Sequence, residues 1–233
     1  MNATSFPLPL VLATGNPDKA REISEIFVTR LDEPLAARAI TAGGDTFGFL
    51  VDRFGTAATR PLDDGDDLAE APDVEETGTT LEENARIKAS ALAGATGMLA
   101  VADDTGLEVD ALEGAPGVYS ARYAGAGATY ADNVAKLLRE MEGVYPALRT
   151  ARFATVALAR WPDGREVAVR GEVEGVIAAA PAGEHGFGYD PVFVPTEGDG
   201  RSFAQMAAAE KHAVSHRGRA FAALVEALTA SAR

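Results

Sequence analysis

Leu8-Pro9-Leu10-Val11-Leu12-Ala13-Thr14-Gly15-Asn16-Pro17 is the stretch whose reading decides the fold. Residues 8 to 13 form a short apolar run that reads as a buried strand, and the four residues after it interrupt that run. A helix follows. Asn16 is a good N-cap, Pro17 suits the first helical position, and Ile23, Ile26, Phe27 and Leu31 recur at helical spacing. A strand, Gly turn and helix in this order aim backbone amides and the positive helix end at whatever occupies the turn, with Lys19 one turn in. The same residues also suit an ordinary connection, because the run from Gly15 to Lys19 lacks the second Gly and the Gly-Lys-Ser/Thr triplet of a Walker loop.

Outward from this unit, strands and helices alternate. Thr80 and Glu83 form a potential capping box that starts a helix through Ala85, Lys88 and Leu92. Strand signal returns at residues 98 to 102 and is expected to stop at Asp103-Asp104-Thr105-Gly106. Residues 130 to 141 read as a helix with Val134, Leu137, Leu138 and Met141 on one face. Residues 153 to 161 and 166 to 173 read as two strands around the turn Pro162-Asp163-Gly164. The end is helical from about Ser215, with Phe221, Leu224, Val225 and Leu228 as its buried stripe. This alternation predicts an α/β fold with a mixed sheet. From about Ala36 to Asp73 the periodicity fades, which reads as an acidic insertion with no assigned chemistry, and Asp63-Asp64-Gly65-Asp66-Asp67 within it reads as a solvated acidic turn or mobile segment. The ligand spacing of an EF-hand is absent there.

The 233 residues suffice for one large domain or two closely packed lobes, and a 47% hydrophobic content can fill a substantial core. With no cysteine, the chain has no disulfide, zinc–thiolate site or cysteine nucleophile, and it suits a reducing compartment. No basic region precedes a long apolar stretch, and no window approaches the roughly 18 apolar residues of a membrane span. A cytoplasmic location without membrane contact is the expectation. The formal net charge of −14 repels polyanions, which argues against a nucleic-acid partner. A small anion needs only a local set of cations, amides and a metal ion.

Several segments could supply such a set. Asp103 and Asp104 follow an apolar strand, where open α/β sheets place their ligand crevice. Adjacent carboxylates repel one another, and a hard divalent cation removes that cost. A second acidic pair, Glu75 and Glu76, precedes Thr77-Gly78-Thr79-Thr80; a capped surface turn would explain either pair equally. Residues 183 to 191 are too rich in Gly and Pro for a regular element, so Phe187 and Tyr189 sit on a loop, where a flat nucleobase could pack on the rings while Asp190 accepts from ring N–H groups. Anchoring of the loop to the core is the alternative. If Ser215 caps the last helix, His216 and Arg217 fall in its first turn and oppose the helix dipole. A bound oxyanion, a carbonyl oxygen or a nearby carboxylate would compensate, with Lys211 upstream as a further donor.

Together these segments resemble the inosine triphosphate pyrophosphatase family, the house-cleaning pyrophosphatases of non-canonical purine nucleoside triphosphates, in their bacterial form. The matching runs are residues 12 to 19, 75 to 89, 102 to 112, 114 to 125, 186 to 191 and 210 to 219, in order across nearly the whole chain. The resemblance implies a single domain over residues 1 to 233, an elongated mixed sheet flanked by helices, in two lobes with the active-site cleft between them, and a homodimer. It implies hydrolysis of ITP, dITP and XTP to the monophosphate and pyrophosphate. By position, Thr14, Gly15, Asn16, Pro17, Asp18 and Lys19 contact the triphosphate, Glu75 and Asp104 hold Mg²⁺, and Asp104 also acts as the base that activates water. Thr105 binds substrate beside it. Phe187, Gly188, Tyr189 and Asp190 hold the base, and Lys211, His216 and Arg217 complete the pocket, the last two near the purine 6-oxygen.

Donors aimed at position 6 accept the carbonyl of hypoxanthine or xanthine, whereas the amino group of adenine leaves them unpaired at a cost of about 1–3 kcal/mol for each buried donor. Guanine also has the 6-oxygen, so exclusion of GTP depends on contacts to its 2-amino group. The chain departs from the family pattern in its longer stretch before Glu75, in Thr105 where bacterial members often have Ser, and in Leu81 where Phe is commoner. Competing readings are a non-catalytic nucleotide sensor and a phosphomonoesterase on the same scaffold.

Overall fold

A computed structural model describes residues 6–32, 35–42, 45–53, 66–67 and 74–231. In chain order the regular elements are β1 (Leu10–Leu12), α1 (Pro17–Leu31), β2 (Leu35–Ala42), β3 (Asp45–Arg53), β4 (Asp66–Asp67), α2 (Leu81–Thr96), β5 (Ala100–Val109), β6 (Pro116–Gly117), α3 (Tyr130–Glu140), β7 (Thr150–Arg160), β8 (Glu166–Ile177), β9 (Phe193–Pro195), α4 (Ala208–Val214) and α5 (His216–Ser231). The fold is mixed α/β. The chain divides into two compact units, one of residues 1–104, 156–169 and 220–233, the other of residues 105–155 and 170–219. Among the described residues no helix is long and apolar enough to cross a membrane.

In the first unit the strand order is β4-β2-β3-β1-β5-β7-β8. β1 is antiparallel to β3 and parallel to β5, with Val11 opposite Ala100 and Leu12 opposite Val101. All three β1 residues are buried, as the unbroken apolar run requires of a strand covered on both faces. α1 starts as its sequence dictates: the Asn16 side chain accepts the N–H groups of Asp18 at 2.9 Å and Lys19 at 3.3 Å, with Pro17 in the first turn. Its stripe of Ile23, Ile26 and Phe27 packs with Leu10, Leu12, Phe221 and Leu224, and the Phe27 and Phe221 rings meet edge-on at 5.5 Å. α2 carries the expected capping box, with the Glu83 N–H donating to Thr80 Oγ1 at 3.1 Å and the Glu83 carboxylate accepting the Thr80 N–H at 3.1 Å.

Two expectations need correction. The stretch assigned no regular structure from Ala36 contains β2 and β3, an antiparallel pair in which Ala37 faces Val51 and Ile40 faces Gly48. Gly48 is required there, because a Cβ would lie 2.6 Å from both the Leu12 carbonyl oxygen and a Leu92 methyl. β4 runs parallel to β2 at Asp66 and Asp67; Asp63, Asp64 and Gly65 lie outside the described residues. The strand expected to end at Asp103 continues as β5 to Val109.

In the second unit the order is β5-β7-β8-β9, with β6 paired to β5. The turn that joins β7 to β8 falls in the first unit, around Gly164, whose φ of +91° lies in the left-handed region that glycine favours. The core gathers Leu107, Leu137, Phe153, Tyr189, Phe193 and Phe203. α3 begins at a second capping box, Thr129 with Asp132. Phe27→Ala should lower the unfolding free energy by about 3–5 kcal/mol. Urea titration measures it, and a loss below about 1 kcal/mol would contradict a tightly packed first core.

Candidate functional site

Side chains alternate along a strand, so inside β5 the adjacent aspartates point to opposite faces and each finds its own lysine. Asp103, with no exposed side-chain surface, takes Lys19 Nζ at 3.3 Å from each carboxylate oxygen. Lys19 stands in the first turn of α1, so the helix brings its positive end and its ammonium to one place. In the turn before it, Thr14 Oγ1 accepts the Asn16 N–H at 3.1 Å, and Gly15 and Pro17 are exposed. Asp18 pairs with Arg21 on the surface at 2.8 Å.

Asp104 turns toward α2. Lys88 Nζ donates to its Oδ1 at 2.8 Å, and Asn84 Nδ2 donates to its Oδ2 at 3.3 Å. The same Lys88 ammonium meets Glu76 Oε1 at 3.2 Å. Burial pushes the Asp104 carboxyl above the usual carboxylate range, against the pull of Lys88 and Lys19, and the charge on Glu76 adds to the rise. Burial also disfavours the Lys88 ammonium, but Asp104, Glu76 and Asp103 outweigh it and hold its pKa above that of an ordinary lysine. Of the two candidate glutamates, Glu76 has its carboxylate on this ammonium, while Glu75 is exposed and its carbonyl accepts the Thr77 N–H at 2.9 Å.

These residues suit a magnesium ion. Two hard carboxylate donors, Asp104 and Glu76, already converge on one cation, and Asp104 retains a burial cost that a divalent ion would relieve. Among the described residues no three acidic or histidine side chains form a ready cage. Mg²⁺ is usually bound in this way, by one or two carboxylates with phosphate oxygens and water as the remaining ligands.

The second unit holds the other candidates. Asp190 Oδ2 accepts both the Phe187 N–H at 2.9 Å and Lys211 Nζ at 2.8 Å, a pair buried from water on both sides. Gly186 permits it: with φ of +73°, a Cβ there would lie 2.0 Å from Asp190 Oδ2. The Tyr189 hydroxyl donates to the Ser120 carbonyl at 2.9 Å, so this ring anchors the loop in the core. Here the anchoring alternative holds for Tyr189, and Asp190 orders the turn through two donors of its own chain. Phe187 is only half-buried, with Lys211 Nζ 5.1 Å and Arg217 Cζ 5.4 Å from its centroid and Tyr130 tilted at 5.9 Å. Gly188 is likewise half-buried, with φ of +64°.

At the head of α5 the Gly218 N–H donates to Ser215 Oγ at 3.0 Å, the expected cap. His216 stacks on Phe153 at 4.5 Å, and Arg217 Nη2 donates to Thr105 Oγ1 at 3.1 Å. Thr105 Oγ1 in turn lies 2.6 Å from Thr155 Oγ1. Both His216 and Arg217 are 2% exposed, so a guanidinium and an imidazole are held inside the unit at the helix end that disfavours positive charge.

The model of the Ham1 family matches residues 10–227. The chain belongs to this family. Named relatives agree: the dITP/XTP pyrophosphatase of Nitratidesulfovibrio vulgaris is 54% identical over 167 residues, covering 69% of this chain and 80% of its own. That of Chlorobaculum tepidum is 47% identical over 93% of this chain and 90% of its own. Among solved structures, a HAM1 protein from Coxiella burnetii has a TM-score of 0.71 at 35% identity, covering 96% of this chain and all of its own. A nucleoside-triphosphatase / dITP/XTP pyrophosphatase from Mycobacterium abscessus has 0.63 at 38% identity, covering 92% and 97%.

In this Ham1-family chain, sequence reading missed Asn84, Lys88 and Thr155 as partners of the site. Lys88 and Asn84 are four residues apart on one helix face, and an acidic doublet on a neighbouring strand was the available signal for them. Thr155, inside an apolar strand, gave none. Asp190→Asn and Lys211→Met should each cost about 3–5 kcal/mol of stability, because either strands a buried charge. The double variant should lose clearly less than the sum in urea unfolding, and full additivity would show that the pair is not coupled.

Proposed function

We propose that the chain hydrolyses non-canonical purine nucleoside triphosphates, ITP, dITP and XTP, to the monophosphate and pyrophosphate, removing them from the nucleotide pool. The observation that carries this reading is Asp104, a buried carboxylate held by Asn84 and Lys88 and within the field of Lys19 at a helix start. The dITP/XTP pyrophosphatase relatives support the substrate class.

In the first unit, Lys19 and the amides around Thr14, Gly15, Asn16 and Asp18 bind phosphate oxygens. Asp104, with Glu75 or Glu76, holds magnesium, which when bound neutralises phosphate charge. Asp104 orients a water and accepts its proton as the water oxygen bonds to phosphorus. The bond to the bridging oxygen between α and β phosphates breaks, and pyrophosphate leaves with that oxygen. In the second unit, the half-buried ring of Phe187 stacks on the base, the turn through Gly188, Tyr189 and Asp190 holds that ring in place, and Lys211 stiffens the turn. His216 and Arg217, with Thr105 orienting the guanidinium, donate to the 6-oxygen. Adenine offers no acceptor there, which disfavours ATP. A homodimer in the cytoplasm completes the reading; sedimentation of the purified protein tests the dimer.

Incubation with Mg²⁺ and ITP, XTP, dTTP, GTP or ATP should release pyrophosphate from the first two preferentially. Orthophosphate release would favour a phosphomonoesterase, and stoichiometric binding without turnover a sensor. Asp104→Asn should keep its unfolding midpoint yet lose hydrolysis by several orders of magnitude, and near-normal turnover would remove Asp104 from the mechanism. Chelation with EDTA should abolish pyrophosphate release, with recovery on adding Mg²⁺; activity that survives chelation would refute the metal requirement.

A further inference from the structure

The run Thr77-Gly78-Thr79-Thr80 and the amide of Asn84 have no role in the chemistry above. Asn84 is fully buried. Its Oδ1 accepts the Gly78 N–H at 2.9 Å. An amide has one accepting and one donating side, so this bond decides which way round the group lies and turns Nδ2 to Asp104 Oδ2 at 3.3 Å. The other oxygen of Asp104 is held by Lys88, one turn further along the same helix.

Gly78 is specifically needed for this approach, since a Cβ would lie 2.6 Å from Asn84 Oδ1 and 2.7 Å from Glu83 Cβ. The capping box fixes the rest of the segment, with Glu83 Oε2 accepting the Thr79 N–H at 2.7 Å and the Thr80 N–H at 3.1 Å. Two residues before Gly78, Glu76 reaches Lys88. Gly78, Asn84, Asp104, Lys88 and Glu76 thus close a ring of contacts with Asn84 as its neutral member.

We infer that Asn84 is a positioning residue for hydrolysis, setting the plane of the Asp104 carboxylate and tying the Glu76 segment to it through Gly78. The inference rests on the role of Asp104 proposed above. A carboxylate that takes a proton from attacking water must present a lone pair in line, so a small rotation lowers turnover steeply while leaving nucleotide binding alone.

The test is kcat and KM for dITP, with thermal unfolding, in Asn84→Asp and Asn84→Ala. Asn84→Asp keeps the acceptor for Gly78 but faces Asp104 with another oxygen, whereas Asn84→Ala removes both contacts. Positioning predicts a fall in kcat of about 10- to 100-fold in both variants. KM should stay within about threefold, with kcat read below each variant's own melting temperature, because a carboxylate in place of the fully buried amide is itself destabilising. If the amide only braces the Gly78 turn, Asn84→Asp restores wild-type kcat while Asn84→Ala is impaired, and that pattern overturns the inference. An Asn84→Ala enzyme within about twofold of wild-type kcat overturns it as well. Should either variant fail to fold, the other decides alone. Failure of the underlying role would look different, since Asp104→Asn would then retain turnover whatever the Asn84 variants do.

Discussion

Consecutive aspartates in an extended strand send their side chains to opposite faces, so each is met at close range by a different lysine even though the charges of Lys19 and Lys88 reach both. Inside the buried strand β5 each therefore requires its own cation, and two helices supply them, α1 through Lys19 and α2 through Lys88. An ionised carboxylate in such a place is costly unless it is paired and hydrogen-bonded. Once this demand is met, the other features of the first unit follow. The start of α1 must lie beside Asp103, the Asn84 and Lys88 face of α2 must turn to Asp104, and Glu76 is drawn in by an ammonium that carries more than one negative neighbour.

The second unit solves a related problem with different means. Lys211 and Asp190 neutralise each other out of water, and the backbone N–H of Phe187 takes a share of the same oxygen. That arrangement stiffens a loop outside the regular elements and leaves one aromatic ring, Phe187, half-buried beside Lys211 and Arg217. Arg217 donates to the neutral hydroxyl of Thr105, which fixes the direction of its guanidinium.

Local signals were read well where one residue type does one job. Asn16, Pro17, the Thr80–Glu83 box and Ser215 mark helix starts in the sequence and mark them in the fold, because a cap is a short-range hydrogen bond. β2 was illegible for the opposite reason. Its run of alanines has no two-residue alternation, and what makes it a strand is pairing with β3, a contact that composition does not announce. Charge at Asp103 reads as a strand terminator, whereas two lysines from elsewhere in the chain let the strand continue to Val109. For the candidate site, the sequence exposed the acids and cations but could not say who holds whom: Tyr189 and Asp190 look alike as loop residues, yet one is a core anchor and the other a buried ion-pair partner.

The interleaved chain path has a consequence for anyone recombining relatives of this enzyme. The residues around Asp104 and those around Arg217 lie in units whose boundaries fall at four places along the chain, after 104, 155, 169 and 219. Three of those junctions interrupt strands and the fourth interrupts the last helix. A chimera taking the unit around Asp104 from one parent and the unit around Arg217 from another must therefore splice within regular structure at every seam. Exchanging individual side chains leaves all four seams intact.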